Sequence, residues 1–71
     1  MTNAIVKKFG KRLRQLRLER DLTQEKLADK CGIDMSYIGR IERGEQNSSL
    51  SVVGDLAKGL GVSVEEIFKG L

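Results

Sequence analysis

Between residues 24 and 48 the chain gathers side chains suited to recognition rather than reaction: Gln24, Ser36, Tyr37, Arg40, Arg43, Asn47 and Ser48. Their amide, hydroxyl and guanidinium groups can donate to phosphate oxygens or other polar edges, and arginine does so with a planar, bidentate fork. Groups that would break bonds are missing. With no histidine and one cysteine, a structural zinc site has too few ligands. Ser48-Ser49 has no neighbouring base, no nucleophile is paired with a base, and no glycine-rich loop could cradle a phosphate. The chain is therefore not expected to be an enzyme or to hold a metal, cofactor or small-molecule ligand.

Residues 23–44 read as the two short helices that present this set. Thr23 can cap the first, its hydroxyl accepting from an unpaired first-turn N–H. Leu27, Ala28 and Cys31 share one face, and Gly32 stands where a helix exits through a left-handed residue. Asp34 can cap the second helix, which runs from Met35 to about Arg43 with Ile38 and Ile41 facing inward. Met35, Ser36, Gly39, Arg40 and Arg43 are left on a mostly polar, partly basic outer face. The three-residue connection Gly32-Ile33-Asp34 forces a sharp crossing, and Ala28 supplies the small residue it needs. This is the build of a DNA-binding helix-turn-helix.

The rest of the chain reads as support. A first helix is expected from Thr2 or Asn3 to Arg20, with Ile5, Phe9, Leu13 and Leu16 as its apolar stripe. Gly10 weakens it by about 1 kcal/mol against Ala. Leu22 can pack back onto the core just before the Thr23 cap. After the polar stretch 45–49, Ser49 caps a fourth helix over 50–60, with Val53, Leu56, Ala57 and Leu60 inward and Gly61 as its stop. Gly54 and Gly59 are unfavourable inside it unless they permit close packing. Ser63-Val64-Glu65-Glu66 has the pattern of a capping box, with Glu66 reaching back, before a short helix over 64–69. Residues 1–71 thus form one all-α, five-helix domain.

Charge is unevenly spread. Residues 1–20 hold Lys7, Lys8, Lys11, Arg12, Arg14, Arg17 and Arg20 against Glu19 alone, while the net charge of the whole chain is only +3. A basic third on a nearly neutral body suggests an anionic partner met from one side, against the plainer reading of a solvated helix face. No apolar run approaches a membrane span, the first residues lack a signal peptide's apolar stretch, and a single cysteine fits a reducing cytoplasm.

The pattern Gln24, Ala28, Gly32, Ile38 and Ile41 resembles the Cro and phage-repressor type of helix-turn-helix protein, a compact bundle like that of the lambda repressor. The resemblance continues through 41–44, 47–50 and 56–62 to Phe68, and short members with Ile-Asp-x-x-Tyr-Ile also look like controller proteins of restriction–modification systems. It implies a transcriptional regulator that puts the helix over 35–43 into the major groove of double-stranded DNA. Met35, Ser36, Gly39 and Arg40 would face base edges, with Tyr37 adding base or phosphate contact. Gln24, Arg43, Asn47 and Ser48 would meet the phosphates, and Arg17 and Glu42 match positions that form an ion pair. Gly39 and Met35 depart from that pattern, since one has no side chain and the other offers only apolar contact. Direct readout therefore leans on Arg40 and Ser36, Arg40 first, since arginine to guanine is the commonest specific contact.

Several positions carry two readings. Arg17 is a phosphate contact or a structural pair with Glu42, the second being favoured. Cys31 is core rather than redox-active. Lys7, Lys8, Lys11 and Arg12 are mainly solvated, and Arg14 is a weak contact candidate. Val64, Ile67, Phe68 and Leu71 are core or, as favoured here, partly a homodimer interface within 50–71, which would select a roughly palindromic operator. A competing class is an antitoxin or other protein-interaction module on the same scaffold.

Overall fold

The computed structural model describes residues 4–71, and among them every regular element is a helix. They are α1 (Ala4–Glu19), α2 (Gln24–Cys31), α3 (Met35–Glu42), α4 (Leu50–Leu60) and α5 (Val64–Ile67). The expected start of α1 at Thr2 or Asn3 lies outside the described residues.

Each of the last four helices begins on the residue whose type marks it. Thr23, Asp34, Ser49 and Ser63 are all extended, and their side chains accept from Lys26, Ser36, Val52 and Glu66 N–H respectively. Gly32 and Gly61 take the left-handed conformation that ends α2 and α4 (φ 69° and 73°). The capping box is only half made. Glu66 does not reach back to Ser63; its carboxylate instead accepts from Arg12 Nη2 of α1 at 2.8 Å. A long-range ion pair has outcompeted the local bond, and α5 is shorter than the expected 64–69.

Helices α1 to α5 enclose one core in which Leu13, Leu27, Ile38, Ile41, Leu56 and Ile67 are sealed from solvent. Phe9 and Leu16 extend it along α1, and Phe9 meets Phe68 with ring centroids 5.5 Å apart. Ile5 departs from the expected stripe: it is 57% exposed, because α1 runs past the edge of the core there. Ile67 departs the other way. It is fully buried under α5, so it belongs to the core and not to a dimer surface.

Two glycines set how closely the layers approach. A Cβ on Gly10 would overlap the Ile41 carbonyl oxygen and lie 3.0 Å from that of Glu42, so α1 and α3 touch backbone to backbone. A Cβ on Gly59 would overlap Cys31 Sγ, which closes α4 onto α2. Cys31 is half-buried there, and burial raises its thiol pKa. Gly54 faces open space.

Helix propensity alone predicts that alanine stabilises at both Gly10 and Gly54. The packing predicts opposite signs. In urea titrations Gly10→Ala should lose about 1–3 kcal/mol by overpacking against backbone, and Gly54→Ala should gain about 0.5–1 kcal/mol. A Gly10→Ala protein as stable as the parent would contradict the close α1–α3 contact.

Candidate nucleic-acid interface

The outer surface of the α2–α3 pair is built on a buried ion pair. Arg17 Nε donates to Glu42 Oε2 at 2.7 Å and Arg17 Nη2 to Glu42 Oε1 at 3.0 Å, a bidentate pair. The two side chains are only 9% and 3% exposed. Arg17 Nη1 donates to the Leu22 carbonyl at 2.8 Å, which anchors the turn leading into α2. Gln24 completes the set: its Nε2 donates to Glu42 Oε1 at 3.0 Å. The last residue of α3 is thereby tied to the first residue of α2 and to the back of α1.

This changes what Gln24 can offer. One amide hydrogen is held by Glu42, which leaves the other for a further acceptor. Gly39, expected at a base edge, is buried. A Cβ there would lie 3.0 Å from Arg43 Nη1 and 3.6 Å from Gln24 Oε1, so Gly39 makes room for those two side chains and is covered by them.

The outer side of α3 carries Met35 and Ser36, both exposed in its first turn, and the half-buried Arg40 in its last. Met35 is the first helical residue and is about half exposed. Ser36 Oγ is bonded to the Asp34 carboxylate and accepts from Arg40 Nη1 at 3.4 Å. The hydrogen bonds from Ser36, side chain first and then backbone, lower the Asp34 pKa. Tyr37 packs partly against the core, and its ring lies 5.6 Å from the Arg40 guanidinium carbon, within cation–π range. Gln46, absent from the expected set, accepts from Arg40 Nε at 3.3 Å.

Arg43 is exposed and pairs with Glu45 at 3.1 Å, a surface pair of small energetic weight that a phosphate could displace. Asn47 is exposed as expected. Ser48 is not available in the same way: its Oγ is buried, has no hydrogen-bond partner among the described residues, and lies in a groove shared with Ile5 and Phe9 of α1.

The basic face of α1 is smaller than its composition suggests. Arg12 Nη2 donates to the Glu66 carbonyl and carboxylate, Arg17 is consumed by Glu42, and Arg20 Nε donates to the Leu60 carbonyl at 2.9 Å. Arg12 is thus a tie to α5 rather than a solvated charge. Lys7, Lys8, Lys11 and Arg14 are exposed.

A separate apolar face lies beside the 45–49 loop. Leu50 is 84% exposed, and it shares a shallow groove with Ile5, Phe9 and Phe68. Val64 is also exposed, whereas Leu71 is half-buried against the core. Leu50 lies three residues before Val53, so its spacing matches the α4 stripe; only the packing shows that the core ends before it reaches this residue.

Two crossed helices joined by a three-residue turn, the second with a polar outer face, define a helix-turn-helix domain. The helix-turn-helix family model matches residues 13–67, and the chain belongs to this family of DNA-binding domains. It is similar to the control protein C.BamHI of Bacillus amyloliquefaciens, 43% identical over 68 residues that cover 94% of this chain and 84% of that protein. Among solved structures, the restriction–modification controller protein C.AhdI from Aeromonas hydrophila matches with a TM-score of 0.90 at 45% identity, covering 93% of this chain and 100% of that one. C.Esp1396I bound to a 19 base pair DNA duplex matches with a TM-score of 0.88 at 34% identity, covering 94% and 89%.

The buried pair makes a stability prediction. Arg17→Met strands the Glu42 carboxylate, and denaturant unfolding should show a loss of about 3–5 kcal/mol. The double variant Arg17→Met/Glu42→Leu should recover most of that loss, since it removes both charges. If the single variant unfolds like the parent, the pair does not hold α3 in place.

Proposed function

We propose that this protein is a sequence-specific transcriptional regulator that binds a roughly palindromic operator as a homodimer, and that it controls a restriction–modification operon. One observation carries the DNA-reading part: Arg40 stands on the outer face of α3 with its guanidinium steadied by Ser36, Tyr37 and Gln46. Its likeness to a relative bound to a DNA duplex supports placing that face in the major groove. The controller assignment is supported by its likeness to C.BamHI and C.AhdI over nearly the whole chain.

In this reading Gln24 and Arg43 flank α3 with phosphate contacts, Asn47 adds one from the loop, and the α1 lysines contribute positive potential. These contacts set register and affinity. Arg40 reads guanine, Met35 offers apolar contact to a thymine methyl, and Ser36 adds a hydroxyl. With so few readers, sequence-dependent DNA shape and bending supply part of the selectivity. The exposed apolar residues Ile5, Leu50, Val64 and Phe68 form the dimer face; relative to the sequence-based set, Ile67 and Leu71 leave it for the core and Ile5 and Leu50 join it. Two-fold symmetry then sets the two recognition helices about 34 Å apart, in successive major grooves.

Selection of bound duplexes from a random pool tests the reading. A palindromic consensus is expected, with affinity falling about a thousandfold or more between ~50 and ~200 mM salt if about six phosphates are neutralised. Arg40→Ala should lose about 1–3 kcal/mol of discrimination at one base pair in each half-site. Retention of a stable partner protein with no salt-sensitive DNA affinity would instead favour an interaction module.

Dimerisation is tested separately by Leu50→Glu. The residue is exposed, so the fold should be kept, but burying the new carboxylate at an apolar interface should weaken association by on the order of 3 kcal/mol, roughly a hundredfold. Sedimentation equilibrium indistinguishable from the parent would remove Leu50 from the dimer face.

A further inference from the structure

Gln46 sits on the loop between α3 and α4, outside the recognition helix, yet it holds that helix's principal reader. Its Oε1 accepts from Arg40 Nε at 3.3 Å, while its Nε2 donates to the Asn47 carbonyl oxygen at 3.2 Å. The second bond decides the first. With the amide nitrogen tied to a backbone carbonyl, the oxygen is the atom left to face the guanidinium; a reversed amide would set donor against donor.

The other side of Arg40 is held as well. Its Nη1 donates to Ser36 Oγ at 3.4 Å, and its guanidinium carbon lies 5.6 Å from the Tyr37 ring centroid. A guanidinium has five N–H donors. Gln46 occupies the Nε donor and Ser36 occupies one of the two on Nη1, so the unused donors all lie at the Nη1/Nη2 end. That end can still make two parallel bonds to guanine O6 and N7. Side-on approach through Nε is closed by Gln46.

We infer that Gln46 is a positioning residue for sequence readout. It acts through Arg40, restricting the guanidinium to end-on approach and so strengthening the preference for guanine at the base pair Arg40 meets. This rests on the DNA-binding reading above.

The test is a double-mutant cycle on the selected duplex and on variants of it at the base pair that Arg40→Ala identifies. Gln46→Met keeps the length and removes the acceptor. It should lower discrimination at that base pair by on the order of tenfold, with thermal unfolding unchanged. In an Arg40→Ala background it should lower discrimination there no further. Gln46→Glu keeps the acceptor, so it should restore discrimination while its charge weakens binding to every sequence.

An equal loss with and without the Arg40 side chain would make Gln46 a direct reader and overturn the inference. So would unchanged discrimination in Gln46→Met, or a loss accompanied by lower thermal stability and shared by all duplexes. A parent protein that prefers no duplex at any salt concentration would overturn the DNA-binding reading together with this one. Selective binding by the parent with an additive Gln46 effect would overturn this one alone.

Discussion

Taking a guanidinium and a carboxylate out of water is costly, and the cost is offset only if nearly every donor and lone pair finds a partner. With the Leu22 carbonyl and the Gln24 amide added to their mutual bonds, each Arg17 guanidinium nitrogen and both Glu42 oxygens have a partner. The partners come from α1, from the turn after it, from the first residue of α2 and from the last of α3. No other polar cluster described joins all four. The angle between α2 and α3, and therefore where α3 stands relative to any surface α2 touches, is set where those bonds are directional. Apolar contacts beneath, such as Leu27 with Ile38 and Ile41 in the common core, supply most of the burial but tolerate sliding. The ion pair limits that sliding, and it leaves Gln24 with a donor at the surface it is proposed to use.

The parts of this arrangement legible in the sequence are those whose signals are local. Thr23, Asp34, Ser49 and Ser63 cap helices because a short oxygen-bearing side chain can reach an N–H two or three residues on, and nothing distant is required. The bounds of α2 and α4 follow from those caps and from Gly32 and Gly61. What failed depended on distant partners. Glu66 has the spacing of a capping-box residue, but Arg12, fifty-four positions earlier, offers a charged bond instead. Gly10, Gly54 and Gly59 look alike in a helical sequence; one meets a carbonyl, one meets a sulfur and one meets nothing within 4 Å.

The candidate site shows the same division. Arg40 stands out by residue type and by its place on the outer face of a short helix. Gly39 shares that face by spacing, but Arg43 and Gln24 fold over it. Ser48 has a hydroxyl at a position where relatives' patterns suggest a phosphate contact, yet the loop turns it inward. Gln46 carried no signal: a glutamine in a polar loop has no period and no cap role, and its partner is known only once the loop's path is known.

That loop has a second neighbour. Gln46, Asn47 and Ser48 line the same groove as Ile5, Leu50 and Phe68. Ser48 lies there with its hydroxyl buried and without a hydrogen-bond partner among the described residues, so at this one residue packing holds the loop. A segment held in that way is sensitive to what covers it. In the proposed dimer, the second copy would close the groove and press on the loop whose Gln46 orients Arg40. Dimerisation and base reading would then favour the same loop arrangement, and each would strengthen the other by an equal free energy, as linkage requires. Occupancy would rise more steeply with protein concentration than either step alone allows.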